Sequence, residues 1–295
     1  MPAPAASDEL DGVVALIAAQ QQRPDRNIVY VGEQVDGIRA ELDDLDPDWR
    51  TTVRVVHDDS GTVVGAALAE WSVESGRAWL FGPWVDGPDV EWARWARALF
   101  DAVAAQIPPA IADRELSGTL ANERLAALAA ELGWPPTETN HAYVLDAAVA
   151  AAWSPVVDGN LRTVVPDDLP AIMPLHESEF PASYFSAPQL LERAAAGEHV
   201  VVLATLEDGS FAGYAAGRVQ PDGEGYIDFV AVEPATRGTG AGRRLVVGLT
   251  TRLLPATATG RVHLTVQDHR APAHALYSAL GFRLDASFRG YRTRP

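Results

Sequence analysis

The chain of 295 residues contains no cysteine and no lysine, and only two methionines. Without cysteine there is no disulfide, no thiolate metal site and no catalytic thiol. Without lysine, all 23 basic side chains are arginines, a usage that also fits a GC-rich coding sequence. No uncharged apolar run reaches the ~18 residues of a membrane span. The segment from Met1 to Glu9 has no basic region of the kind that opens a signal peptide, so the expected location is cytoplasmic and no membrane partner is expected. Metal-ligand spacing is also missing from the seven histidines: His269 and His274 stand five apart, off the i,i+4 face of a helix. No metal is expected.

Positive charge is scarce as well. The formal net charge is −17. Residues 1–153 hold 25 acidic and 10 basic side chains and residues 154–295 hold 15 and 13, so nearly all the acidic excess lies in the first half. Binding to nucleic acid requires Lys and Arg against phosphate, and this balance argues against it. The acidic half promotes solubility or steers a cationic ligand toward a neighbouring cleft.

What is present points to a globular chain. Apolar residues make up 47% and charged residues 21%, enough to bury a core. The length suits about two domains of roughly 100–200 residues. The most informative segment is Arg237-Gly-Thr-Gly-Ala-Gly242, between the apolar run Tyr226–Val232 and a helical pattern beginning at Arg243. A strand, a glycine-rich turn and a helix start in that order form an anion site, because backbone N–H groups and the positive end of the helix dipole converge there. The run lacks the Gly-Lys-Ser/Thr ending of a Walker A loop, and Arg243 stands where a dinucleotide fingerprint needs its third glycine. Taken alone, it also fits an ordinary turn closing a βα unit.

Downstream, Arg261–Gln267 has a strand pattern and Ala271–Leu280 a short helix ended by Gly281. The ordered pair R-x-x-G-x-G, then A-x-x-L-Y-x-x-x-G-F, resembles the GNAT acyltransferase superfamily over roughly residues 160–295.

The chain also repeats. Val53–Ala67 and Val201–Ala216 both read as strand, turn, strand, and Gly65 to Gly133 and Gly213 to Gly281 both span 68 residues. Leu132-Gly-Trp134 corresponds to Leu280-Gly-Phe282, at an offset of 148. The expectation is an α/β chain of two tandem GNAT-like domains, each a mixed, mostly antiparallel sheet flanked by helices. Their ranges are 1–150 and 151–295, joined near Ala147–Ala152 and Trp153-Ser-Pro155. For the second copy, strands are expected at 199–205, 211–219 and 226–232, a helix at about 240–254, and a closing hairpin over Phe282–Thr293. Trp92 and Trp95 stand i,i+3 on an expected helix and suit core or inter-domain packing.

The copies diverge where ligand contacts belong. After Val85 the first copy carries Asp86, Asp89 and Glu91, and Ala129 stands at the position of Tyr277. It reads as a degenerate domain with a structural or substrate-shaping role. Binding a CoA ligand in another way is the alternative.

The resemblance implies acetyl-CoA as co-substrate and direct transfer without an enzyme-bound acetyl group. It places backbone groups near Val230 and Val232 on the pantetheine arm and thioester oxygen. The turn of Arg237, Gly238, Thr239, Gly240, Ala241 and Gly242 falls on the pyrophosphate, with Arg243 at the helix start. Tyr277 matches the tyrosine that protonates or hydrogen-bonds the leaving sulfur, and its usual pKa of ~10 suits a thiolate. Asp228, where relatives often carry Glu, is a candidate general base or an outward-facing polar residue. Glu177, Glu179 and His176 are weaker candidates and suit a solvated face, and Ser183 and Tyr184 are placed to line an acceptor site. Arg270 departs from the asparagine common in the family; it pairs with a CoA phosphate or marks a lost contact.

The function implied is an acyl-CoA-dependent N-acetyltransferase acting on a primary amine of a small molecule or peptide, as a monomer built like a pseudo-dimer or as a homodimer. The alternative is a non-catalytic acyl-CoA-binding or scaffold protein.

Overall fold

The computed structural model describes residues 1–153, 160–181 and 183–293. Ser154 and Pro155 of the expected junction, and Ala182 in the proline-broken loop, lie outside the described residues. In chain order, the first half comprises β1 (Ala3–Pro4), α1 (Leu10–Gln21), α2 (Val35–Asp43), α3 (Trp49–Thr52), β2 (Arg54–His57), β3 (Val63–Ser72), β4 (Arg77–Val85), α4 (Asp89–Ala104), β5 (Asp113–Thr119) and α5 (Glu123–Leu132). The second half comprises β6 (Asn140–Asp146), α6 (Ala147–Ala150), β7 (Leu161–Thr163), α7 (Leu169–Glu179), α8 (Ala187–Ala195), β8 (Val200–Thr205), β9 (Phe211–Val219), β10 (Gly225–Val232), α9 (Ala241–Leu253), β11 (Arg261–Gln267), α10 (Ala271–Ala279) and β12 (Arg283–Arg292). Among the described residues no helix is long and apolar enough to cross a membrane.

These elements form two compact units, Met1–Asn140 with Ala286–Pro295, and His141–Asp285. Relative to a single cut after residue 150, β6 and α6 fall in the second unit and the end of β12 in the first.

In the first unit the strands follow the order β1-β2-β3-β4-β5-β12. All pairs are antiparallel except β4 with β5. The core holds Trp49, Trp84, Leu68, Leu99, Ile17 and Ile38, with Trp92 and Trp95 packed against it half-buried. The expected hairpin over 282–293 is instead one extended strand. Its second half pairs with β5 from Phe288↔Thr119 to Arg292↔Glu115. Phe288 and Tyr291 are buried, and the Arg292 guanidinium is held by Asp113. Ladder hydrogen bonds and two buried rings outweigh any turn preference of Gly290, which lies inside the strand.

In the second unit the order is β6-β11-β10-β9-β8-β7. Helix α9 forms because small and branched apolar residues recur at helical spacing: Ala241, Leu245, Val246, Leu249 and Leu253 are all buried on one side. The sheet separates two apolar clusters. One contains Val202, Ala204, Leu245, Leu249, Leu264 and Tyr277. The other contains Ile172, Leu175, Leu190, Leu203, Tyr214 and Phe229. Strand β8 serves both by alternation, with Val201 and Leu203 on one side and Val202 and Ala204 on the other.

Strand β10 breaks that alternation. Ile227 faces the first cluster and Phe229 the second, although they are two apart. The register with β9 shifts between them: Ile227 pairs with Gly217 and Phe229 with Ala216, leaving Asp228 as the extra residue of a bulge.

Candidate active site

The turn after β10 leaves helix amides free. Gly238 and Gly240 adopt φ of +83° and +87°, values at which a side chain is strained and glycine is not. A Cβ at either would meet nothing within 4 Å, so the turn backbone is open to a ligand. Gly240 is the N-cap of α9, no side chain caps the helix, and its first turn carries no acid. The first amides of α9 therefore lack an internal partner and present the positive end of the dipole. Thr236 Oγ1 donates to the Ala212 carbonyl (3.0 Å), and Thr239 Oγ1 donates to the Thr236 carbonyl (2.8 Å), which fixes the turn. Arg243 is exposed at the helix start.

Beside the turn, two parallel strands separate. β10 pairs with β11 only at Gly225, Tyr226 and Ile227. From Asp228 onward its β11-side edge, including Val230 and Val232, has no strand partner among the described residues, while the β9 side stays paired to Val232↔Gly213. A wedge thus opens toward the turn, with a row of main-chain groups along one wall.

Tyr277 lies on α10 and is 7% exposed. Its ring lies 5.7 Å from Phe282 and 6.2 Å from Tyr143. Burial pushes its phenol up to about 12. The group is therefore a proton donor at neutral pH and not a phenolate.

The bulge turns Asp228 into a buried polar cluster. Its side chain has no accessible surface. Tyr184 donates its hydroxyl to Asp228 Oδ1 at 2.6 Å. His199 Nε2 lies 3.5 Å from Oδ2, and Arg218 Nε lies 3.8 Å from Oδ1. Asp228 Oδ2, both His199 ring nitrogens and Arg218 Nε have no hydrogen-bond partner among the described residues. Buried polar atoms left unpaired in this way are costly. His199 and Arg218 carried no signal in the sequence, since each is an isolated polar residue at a strand end or edge.

The two arginines read as ligand contacts both meet Glu179 at the end of α7. Arg237 Nη2 lies 2.6 Å from Glu179 Oε1, and Arg270 Nη1 lies 3.3 Å from Oε2. Arg270 also donates to the Glu179 carbonyl and to Gln267 Oε1. Glu179 is thus an ion-pair hub and not part of a solvated face; of Glu177, Glu179 and His176, Glu177 alone is exposed.

His176 departs from the solvated-face expectation more strongly, being 2% exposed. Nε2–H donates to the Phe185 carbonyl (2.8 Å), which leaves Nδ1 to accept from the Tyr214 hydroxyl (2.5 Å). Phe180 and Phe229 flank the ring. Burial lowers its pKa, so the imidazole is a neutral core group. Ser183 donates to the same Phe185 carbonyl, which secures the loop that carries Tyr184.

The first unit has a similar wedge with different contents. β4 pairs with β5 only from Arg77 to Leu80. Beyond it Trp84 is buried and donates to Gln21 Oε1, and Arg26 Nη2 donates to the Gly87 carbonyl at the turn. Asp89 and Glu91 occupy the first turn of α4, where they complement the helix dipole. Among the described residues no group of three His, Asp or Glu could hold a metal ion.

Residues 169–282 match the model of the acetyltransferase (GNAT) family. No curated protein matches the sequence. Among solved structures, a GCN5-related N-acetyltransferase from Sphaerobacter thermophilus is 17% identical with a TM-score of 0.68, covering 99% of this chain and 95% of its own. A tandem GNAT protein from the clavulanic acid biosynthesis pathway is 19% identical with a TM-score of 0.61, covering 99% and 97%. A glucosamine N-acetyltransferase region of a fungal multi-domain β-N-acetylglucosaminidase is 14% identical with a TM-score of 0.67, covering 99% of this chain and 38% of that one. At these identities the likeness to solved structures is one of fold. Residues 169–282 thus carry the signature of the GNAT acetyltransferase family, and the chain as a whole has the fold of these two-domain structures.

Proposed function

We propose that the second unit transfers an acetyl group from acetyl-CoA directly to a primary amine of a small molecule or peptide. The observation that carries this reading is the unpaired edge of β10 beyond Ile227, followed after a short 3-10 turn at Pro234–Thr236 by an uncapped glycine turn. That arrangement suits an extended arm ending in a pyrophosphate. Gly238, Thr239, Gly240, Ala241 and Gly242 would hold the pyrophosphate through main-chain N–H groups, with Arg237 and Arg243 adding charge. Main-chain groups at Val230 and Val232 would align the arm and polarise the thioester oxygen.

Bound acetyl-CoA supplies the electrophile, an acetyl thioester. The chain's own residues manage protons. Asp228 Oδ2, the open acceptor at the bulge, takes a proton from the incoming ammonium group. Tyr277, held in its protonated form, gives a proton to sulfur as the C–S bond breaks and regains one from the nitrogen that has formed the amide. Net, one proton leaves with Asp228 for solvent. Tyr184 fixes Asp228.

The first unit, in this reading, is a degenerate copy with a structural or substrate-shaping role. Asp89, Glu91 and the Arg26–Gly87 contact occupy the place of ligand groups. The test is release of free thiol from acetyl-CoA in the presence of amino sugars, aminoglycosides, polyamines and peptides. Acceleration by at least one amine supports the proposal. Tight acetyl-CoA binding without acceleration by any amine favours a non-catalytic acyl-CoA-binding protein.

A further inference from the structure

Glu179 spans the mouth of the wedge. Arg237 follows the end of β10 and Arg270 follows the end of β11, so one carboxylate ties the two separating strands together. The three side chains are between 21% and 55% exposed, shared with solvent rather than sealed in the core. Exposed ion pairs of this kind contribute little individually, about 0–1 kcal/mol. The contact is weak enough to be exchanged.

We propose that Glu179 is an internal anion that competes with the ligand's phosphate for Arg237 and Arg270, closing the wedge until that phosphate displaces it. This rests on the reading of the glycine turn as a CoA site. Three observations support it. The Glu179 carboxylate uses both oxygens, one on each arginine, as a bridging phosphate would. Arg237 lies in the turn read as a pyrophosphate site, Arg270 was read as a CoA-phosphate partner or a lost contact, and each already gives a donor to Glu179. The hub also sits on the segment that precedes Ser183 and Tyr184. Tyr184 in turn donates to Asp228, so the clasp lies at the end of α7 just before the residue that holds the candidate base.

A carboxylate carries less charge than a pyrophosphate and has no N–H cradle of its own, so exchange favours the ligand. Removing the charge of Glu179 while keeping its shape lifts the competition.

The experiment is calorimetric titration of acetyl-CoA into the full-length wild type, Glu179→Gln, Arg237→Gln and the double variant. The thermal unfolding midpoint of each variant is checked first. The expected result is binding about five-fold tighter in Glu179→Gln, equivalent to ~1 kcal/mol, with the gain reduced at high salt and smaller again in the Arg237→Gln background. Equal or weaker binding in a folded Glu179→Gln overturns the clasp and leaves the CoA site standing. No binding in either wild type or Glu179→Gln overturns both.

Discussion

Tyr184 donates its hydroxyl to Asp228 at 2.6 Å, which joins a loop residue to a strand bulge 44 residues further along the chain. The other carboxylate oxygen is buried with no hydrogen bond among the described residues and lies 3.5 Å from His199 Nε2. Asp228→Asn should lower turnover about 10²-fold, the scale of general-base catalysis, with acetyl-CoA affinity unchanged. Tyr184→Phe should have a smaller effect, roughly 3–10-fold, the scale of one lost hydrogen bond. Steady-state kinetics on a responsive amine decides the matter, and an Asp228→Asn enzyme at full rate would place the base elsewhere.

Tyr277→Phe should reduce kcat by roughly 10²-fold while calorimetry shows acetyl-CoA binding as before. Because burial raises the phenol to about 12, activity should show no loss of this acid up to about pH 10. The folded state keeps the proton that the unfolded chain releases near pH 10, so the stability it confers is complete below pH 10 and is lost between 10 and 12. Tyr277→Phe should reduce that alkaline decline, the remainder belonging to the other buried tyrosines, Tyr184, Tyr214 and Tyr226. An unchanged alkaline profile would show that the hydroxyl is not buried in solution.

Gly240→Asp should weaken acetyl-CoA binding at least ten-fold, about 1.4 kcal/mol. The cause is charge at the amide cradle together with a positive φ, since no neighbouring atom stands within 4 Å of the new Cβ. Gly240→Ala keeps the φ strain without the charge and should weaken binding less. Equal losses in the two variants would assign the effect to backbone strain alone.

The acidic first half has a structural consequence at Glu70. Burial, then Asp44 and Asp46, push its carboxyl up to about 7. The native state therefore holds a proton between pH 4.5 and 7 that the unfolded chain has lost, and stability falls as pH rises through that window. Glu70→Gln should stabilise the protein at pH 8 by about 1–2 kcal/mol, less than the full shift of roughly 1.36 kcal/mol per unit because solvent still reaches the side chain. At pH 4.5 the difference should vanish. Denaturant melts at the two pH values make the comparison, and equal shifts at both would rule out ionisation as the cause.

Local patterns carried much of this structure. The strand at 261–267 and the helix from 271 were legible because apolar alternation and Gly281 mark them within the segment. The strand, glycine turn and helix start are likewise contiguous in sequence. Contacts between distant segments were not legible. Asp228 draws Tyr184 from a loop, His199 from just before β8 and Arg218 from β9, and a single-residue bulge, invisible in composition, turns it toward them. Glu179 lies 58 residues from Arg237 and 91 from Arg270, and no pattern along α7 signals either pairing. His176 was misread because its neighbours Glu177 and Glu179 suggested a polar face, whereas Phe180, Tyr214 and Phe229 enclose it. The hairpin expected at the C-terminus became one strand because its partner, β5, lies in the other half of the chain.

The central claim is one acyl-CoA site per chain, in the second unit. Calorimetric titration of acetyl-CoA into the full-length protein tests it most directly. The account predicts saturation at one ligand per chain, lost in Gly240→Asp. Two per chain would show that the first unit binds as well, and no heat of binding at any concentration would contradict the claim outright.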